Sequence, residues 1–547
     1  MRIAEPAPSF VGRFPGQFPG QSLGRFHVGF GLATLSGCLW FLACTPFDWS
    51  AAAWVAAVPM LAAVDRAPTY RQALFLGWWA GVVETAGGFY WLIDTTQRFA
   101  GFPWIAGLLV LALFCAARAL IFLLFTAVVC AIRRRVAVPM TLIAPVGMAA
   151  CEFLVPQIFP CGQWITQAWH PLVIQIAELT GPWGVTALLM MVNGAIYDLW
   201  ASPRSARVAA ISAAAILAGA LVFGAVRMRQ VDALVVHAPR LKVGLVQPNI
   251  AYSNDPDFSP EEARRELTAL QEESRRLEAA GAELVVWSEG SYPVALPREI
   301  YTDFPPDSAA MIRRGLAGPV IIGADTYDST TADVYNSAIL LDREGAMTGR
   351  YDKVRLLAFG EYIPGVAWFP WLKQIVPLGS ARFTAGAGPA VLKFRDAAGN
   401  SWGLGPVICY EDILPDYMVQ IGRARPNLLV NMTVDSWYGK RAEPWEHLAL
   451  AVFATVELRE TMVRAVNSGI SALIDPNGRL LVRTAAVDPY REPRPPEGIV
   501  VSAPLLEPGD TLFLRLGCWF PYACTAALAL MGAIAFKRRR SAPSLGR

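Results

Sequence analysis

Eight apolar segments frame one long polar stretch, a pattern that limits the chain to a membrane bundle carrying a single large water-facing domain. The segments run at approximately 28–45, 51–64, 72–94, 103–132, 137–155, 172–198, 207–226 and 514–536. About 20 apolar residues suffice to cross a bilayer as a helix. Between the seventh and eighth segments, residues 240–505 have the mixed composition of a globular domain. At 54% hydrophobic and 17% charged over 547 residues, with mean hydropathy +0.38, the chain is too apolar for a soluble enzyme. A net charge of +3 gives no argument for a nucleic-acid partner.

Basic residues mark the ends of the apolar runs. Arg2, Arg13 and Arg25 precede the first, and Arg66 and Arg71 separate the second from the third. Arg133, Arg134 and Arg135 follow the fourth, Arg204 and Arg207 the sixth, and Lys537 to Arg540 the eighth. With eight spans, every cluster falls on one side, which predicts both termini in the cytoplasm and the polar domain outside it. The expected organisation is a flexible cytoplasmic lead over 1–27, a membrane domain over 28–227, a catalytic domain over 240–505, a last span over 514–536 and a basic tail over 537–547. The lead, with Pro6, Pro8, Pro15 and Pro19, lacks the pattern of a cleaved signal. Glu84, Arg118 and Glu178 lie within spans, where ionisable groups either pair with one another or touch substrate.

In the polar domain, strand-like runs (241–247, 284–287, 320–323, 338–341, 406–409, 428–431) alternate with helical ones (260–279, 445–464). This alternation predicts an α/β architecture with some antiparallel pairing. Of nine cysteines, only Cys409 lies far from any apolar span. A lone thiol there either packs or reacts. It ends the run Leu404–Ile408, as Glu289 closely follows Leu284–Trp287 and Lys353 follows the strand and turn before it. Ligand sites collect at strand ends in such sheets. A thiol, a carboxylate and an ammonium converging there make a nucleophile, a general base and an oxyanion stabiliser. The competing Cys–His reading rests on His447, on a helix, where a histidine more often packs or faces solvent. Zinc is not expected, since the domain has no second histidine or cysteine at ligand spacing, and there is no glycine-rich phosphate loop.

These residues in this order resemble the nitrilase superfamily of carbon–nitrogen hydrolases, and the flanking spans narrow the resemblance to the apolipoprotein N-acyltransferase family. It is carried by Val286–Glu289, Tyr335–Ala338, Tyr351–Lys353, Phe359–Pro364, Ile408–Glu411, Trp437–Gly439 and Asn467–Ile470, and in the membrane part by Gln175–Gly181. The resemblance implies a polytopic helical bundle of about eight spans plus a nitrilase-like α/β/β/α sandwich. It implies Glu289 as base, Lys353 as charge stabiliser and Cys409 as nucleophile. Glu361, Tyr410, Glu411 and Asn336 are implied as supporting or substrate-binding residues. The implied reaction moves an acyl chain from a phospholipid, through a Cys409 thioester, to the α-amine of a diacylglyceryl-cysteine at a lipoprotein's amino terminus. No cofactor or metal is implied, the expected location is the inner membrane with a periplasmic catalytic domain, and a monomer is the default. A membrane-anchored amidase, in which water resolves the thioester, is the alternative. The chain departs from the family pattern at Ser288, at Arg355–Ala358 and at Val434–Trp437, none of which removes a triad residue. Residues 363–378 are too aromatic for a solvated loop and either face lipid or pack on the bundle.

Overall fold

A computed structural model describes residues 19–251, 259–366, 368–372 and 383–541. The polar domain is two packed sheets. The first holds β1 (Arg240–Gln247), β2 (Leu284–Val286), β3 (Leu296–Pro297), β4 (Val320–Tyr327), β5 (Val334–Leu341), β6 (Met347–Asp352) and β13 (Glu497–Pro504), in the order β13-β1-β2-β4-β5-β6 with β3 on β4. The second holds β7 (Leu392–Arg395), β8 (Ser401–Ile408), β9 (Leu428–Val434), β10 (Met462–Asn467), β11 (Ala472–Ile474) and β12 (Leu480–Arg483), in the order β12-β11-β10-β9-β8-β7. β1, β2 and β4 run parallel, as do β8, β9 and β10, and the short β3 lies parallel to β4, while β5, β6, β7, β11, β12 and β13 pair antiparallel.

Side chains alternate across each strand, and the pattern divides the core into layers. Val243, Leu245, Val286 and Ile321 of the first sheet meet Leu404, Ile408, Val430 and Ala465 of the second. The opposite face of the first sheet, with Val246, Val285 and Ile322, packs against Leu267, Leu270 and Leu277 of the Pro260–Ala279 helix. That helix starts on a capping box between Ser259 and Glu262, with Pro260 in its first turn. The far side of the second sheet is covered by Pro415–Arg423 and Glu443–Leu458. The result is the expected α/β/β/α sandwich. Every residue of Glu443–Leu458 except Trp445 is buried, because the helix lies between the sheet and the membrane bundle.

Among the described residues, five helices are long and apolar enough to cross a membrane: Phe26–Ala43, Trp104–Arg133, Trp183–Ala201, Pro203–His237 and Trp519–Lys537. Ser50–Asp65, Tyr70–Gly88 and Met140–Leu154 coincide with the remaining apolar runs of the sequence. Several boundaries differ from those read in the sequence. The first helix begins at Pro19, so 19–27 is helical rather than a flexible lead; proline's fixed φ suits a first turn. The segment 72–94 ends as a helix at Gly88, and Leu92–Ala100 is a separate polar helix. Trp104–Arg118 and Leu120–Arg133 meet at a turn around Ala119. The segment 172–198 is interrupted by Gly181 at φ 67°, and 514–536 by Gly517 at φ 61°, a backbone region that glycine enters without strain. The helix read over 445–464 stops at Leu458, because Arg459 turns left-handed and Met462–Asn467 joins the sheet as β10.

The two halves are fastened by buried ions. Glu178 receives Arg227 at 2.9 Å and Arg459 of the sandwich at 2.5 Å, while Gln175 donates to the Asn477 carbonyl. Pro203–His237 runs past the end of its apolar part, and there Asp232 takes a forked contact from Arg479. The Gln175–Gly181 motif is thus a docking latch. Glu84 and Arg118 pair with each other at 3.5 Å, and Arg118 also donates to Gln157 and to the Cys161 carbonyl.

Candidate active site

Glu289, Lys353 and Cys409 come from three separate strand ends and meet between the sheets. Glu289 sits in the turn after β2, whose close approach to β4 depends on Gly323. A Cβ there would stand 2.2 Å from the Ser288 carbonyl oxygen and 2.8 Å from the Glu289 Cα. Lys353 directly follows β6. Its backbone N–H donates to the Asn336 carbonyl at 2.8 Å, and its neighbour Asp352 is gripped by the Arg298 fork at 3.0 and 2.8 Å. Cys409 follows β8 at φ 51°, an uncommon conformation for a residue with a side chain. Such strain, of order 1–3 kcal/mol, collects at active sites.

The Lys353 ammonium lies 3.1 Å from Glu289 Oε1 and 2.9 Å from Glu361 Oε1. Asn336 Nδ2 donates to the same two oxygens at 2.7 and 3.3 Å, and the Leu357 N–H donates to Glu361 Oε2 at 2.8 Å. Glu289 Oε2 has no partner among the described residues. All of these side chains are nearly excluded from water. Burial pushes Glu289 up from the ordinary carboxylate range, and Lys353 only partly offsets it. Burial works against the Lys353 charge, but Glu289 and Glu361 hold its pKa well above the usual value. Burial and the Glu289 carboxylate raise the Cys409 thiol well above its usual range, with Lys353 opposing them. These surroundings disfavour a thiolate at Cys409 and strengthen the Glu289 carboxylate as a proton acceptor.

Glu411 fixes the nucleophile's turn to the lysine's. Its carboxylate accepts the N–H groups of Val354 at 2.7 Å, Arg355 at 3.0 Å and Ile408 at 2.8 Å, plus the Tyr351 hydroxyl at 2.6 Å. Tyr410 points the other way. Its hydroxyl donates to the Ile158 carbonyl of the membrane half at 2.6 Å. Of the residues singled out in the sequence, the structure brings Glu289, Lys353, Glu361 and Asn336 together with Cys409, while Glu411 and Tyr410 bond backbone groups around them.

Sequence reading missed what lies behind the nucleophile. His447 bonds Asp412 at 3.0 Å and Asp435 at 3.1 Å, and Arg464 contacts the same two carboxylates at 2.5 and 3.6 Å. Burial and Arg464 disfavour the imidazolium, but Asp412 and Asp435 outweigh them and push His447 up to about 10. A signal existed: Arg464 interrupts the apolar strand Met462–Asn467, and a buried arginine needs carboxylates. Asp435, Glu443 and His447 also have ligating atoms within 4.8 Å of one another, but Arg464 and the imidazolium already supply positive charge there.

A narrow, mainly apolar slit of about 30 Å³ reaches Cys409, lined by Phe89, Trp91 and Phe159 of the membrane half with Leu357, Tyr438 and Leu450, and with Glu443, Glu446 and His447 also on its wall. Trp91 Nε1 donates to Glu446 at 3.0 Å across this boundary. Trp368, Phe369 and Trp371 are well exposed, at 81%, 53% and 52%, rather than packed on the bundle. Positions 367 and 373–378 of that aromatic stretch lie outside the described residues.

Comparison with known proteins gives the same division of the chain. Residues 36–195 match the apolipoprotein N-acyltransferase N-terminal domain, and residues 242–487 match carbon-nitrogen hydrolase. The apolipoprotein N-acyltransferase of Geobacter metallireducens is 31% identical over 527 residues, covering 93% of this chain and 95% of its own. This chain belongs to the apolipoprotein N-acyltransferase family. The Brucella melitensis relative of that name is 30% identical over 540 residues, covering 93% of this chain and 96% of its own. Among solved structures, an amidase from Nesterenkonia sp. aligns at 18% identity and TM-score 0.34, over 52% of this chain and 95% of its own. The match to both halves favours an acyltransferase over a membrane-anchored amidase.

Proposed function

We propose that this protein transfers an acyl chain from a phospholipid to the α-amine of a diacylglyceryl-cysteine at the amino terminus of an apolipoprotein, through a thioester on Cys409. The observation that carries this reading is the pairing of a buried thiol, set against a two-carboxylate, one-ammonium cluster, with a mainly apolar slit walled in part by Phe89, Trp91 and Phe159 from the turns of the membrane half. In the first step Sγ attacks the donor ester carbonyl and its proton passes to Glu289. The Lys353 ammonium offsets the charge on the tetrahedral oxygen. The C–O bond then breaks, and Glu289 returns the proton to the departing lysophospholipid. In the second step the amine attacks the thioester, Glu289 accepts its proton, and the thiol is reprotonated as the C–S bond breaks. Glu361 and Asn336 hold Lys353 and Glu289 in place, while Glu411 and Tyr410 fix the turn that presents Cys409.

The distribution of basic residues supports a cytoplasmic location for both termini, an inner-membrane setting and a periplasmic sandwich. The exposed Trp368, Phe369 and Trp371 suit an interface with lipid, where donor chains arrive. We take the monomer as the working unit. Intact mass of the purified protein after incubation with phosphatidylethanolamine tests the reading. An acyl adduct is expected on the wild type, absent from Cys409→Ala, and discharged by a diacylglyceryl-cysteine peptide. An adduct that persists in Cys409→Ala sinks the assignment.

A further inference from the structure

A second cavity reaches the catalytic cluster without sharing a lining residue with the apolar slit. It is a polar cleft of about 660 Å³, built from the turns after β1 and β2 and the first turns of the Pro260–Ala279 helix. Glu289 lines it, and this carboxylate is only 7% exposed, with Oε2 unpartnered among the described residues. Its two arginines are already engaged, Arg265 with Glu262 at 3.8 Å and Arg494 with Glu492 at 3.7 Å. Glu262 is further tied to Ser259 by the capping box. Glu266, half-buried on the same wall, has no hydrogen bond or ion pair among the described residues. Burial and the neighbouring Glu262 push it up to about 7, and Arg265 only partly opposes them.

The chemistry of the second step requires an exit of this kind. The attacking amine is attached to the first residue of a polypeptide, so that chain must leave the reaction centre within one residue length, about 3.5 Å. A mainly apolar slit of about 30 Å³ has no room for a backbone together with partners for its N–H and C=O groups. The polar cleft has that room, and its volume lies in the range of pockets that hold small ligands. We propose that the cleft receives the polypeptide following the acylated cysteine of the acceptor, and that Glu266 favours a basic residue within its first few positions. This rests on the acyltransfer reading above and adds a substrate preference confined to the second step. There the thioester C–S bond breaks, the amide C–N bond forms, and the amine proton goes to Glu289 at the cleft floor.

The test separates the two steps in the full-length protein. The acyl-enzyme is formed on phosphatidylethanolamine, then discharged by two diacylglyceryl-cysteine peptides with lysine or glutamate as the third residue. In the wild type the lysine peptide should discharge it about tenfold faster, a difference of about 1.4 kcal/mol. Glu266→Lys should form the acyl-enzyme at the wild-type rate and reverse the preference. Ala269→Trp, which fills the cleft, should slow discharge by both peptides without slowing acylation. Equal discharge of both peptides by the wild type and by Glu266→Lys, with full-speed transfer in Ala269→Trp, overturns the proposal. Failure of the wild type to form any acyl-enzyme removes the acyltransfer reading itself, and this inference with it.

Discussion

Two buried ion clusters flank Cys409, and they differ in how their charges are balanced. Behind the nucleophile, Arg464 and the His447 imidazolium face Asp412 and Asp435, two charges against two. Burial and Asp435 push Glu443, the fifth member, well above the ordinary carboxylate range, which favours its neutral form. In front, one ammonium on Lys353 faces both Glu289 and Glu361. A balanced cluster has no use for another proton, whereas a cluster with one carboxylate in excess can accept one. The first suits holding a turn in place and the second suits the proton transfer proposed above, though both are buried. Burial alone therefore does not separate the two clusters; the charge count does.

The comparison breaks most sharply at Lys353. Lys353→Met leaves two carboxylates with no cation and nothing to offset the oxyanion, so acyl-enzyme formation should fall by roughly 10³-fold. Quenched single-turnover measurements check this, and retention of even a tenth of the rate would remove Lys353 from the reaction. Arg464→Met should strike stability instead. It strands Asp412 and Asp435, at about 3–5 kcal/mol, with a large drop in thermal midpoint and a much smaller loss of rate per folded molecule. An unchanged midpoint would mean that the rear cluster is not a structural brace.

The third test uses pH. His447 is pushed up to about 10, against roughly 6.5 when unfolded. Its charge thus stabilises the fold fully below about pH 6.5, and that contribution fades as pH rises through 10. Wild-type thermal stability should decline across this window, and His447→Gln should show a flatter profile over the same range. Parallel profiles would place the charge elsewhere. Gly323→Ala is the mildest change. Its methyl meets the turn carrying Glu289, and a base displaced by a fraction of an ångström should slow acylation about 10–100-fold with modest loss of stability. Wild-type kinetics in that variant would mean the turn yields freely.

The front cluster was legible in the sequence because Glu289 and Lys353 come soon after strand-like runs, and because Glu361 sits in a short motif that carries the family resemblance. The rear cluster was not, because Asp412, Asp435, His447 and Arg464 come from a turn after β8, a turn after β9, a helix and β10, and no local spacing relates them. His447 was weighed as a partner for the thiol, whereas it bonds the two aspartates. Apolar runs located the membrane helices, but hydropathy is blind to a single glycine such as Gly181, which separates the docking latch from the helix after it. The role of Glu178 depends on Arg459, 281 residues away in the chain. Such a contact is a property of assembly, invisible to any window of sequence.

The wall of the slit has a consequence for how such a protein can be divided or inherited. Phe89, Trp91 and Phe159 belong to one half of the chain, and Cys409 and Tyr438 to the other. A gene split between the halves would yield a sandwich that keeps Glu289, Lys353 and Cys409 but loses the slit's membrane-half wall, and a bundle that carries none of the three. Neither fragment is a smaller version of the whole. The smallest unit that selection can act on here is the seam between them, and substitutions on either side of it must answer to the other.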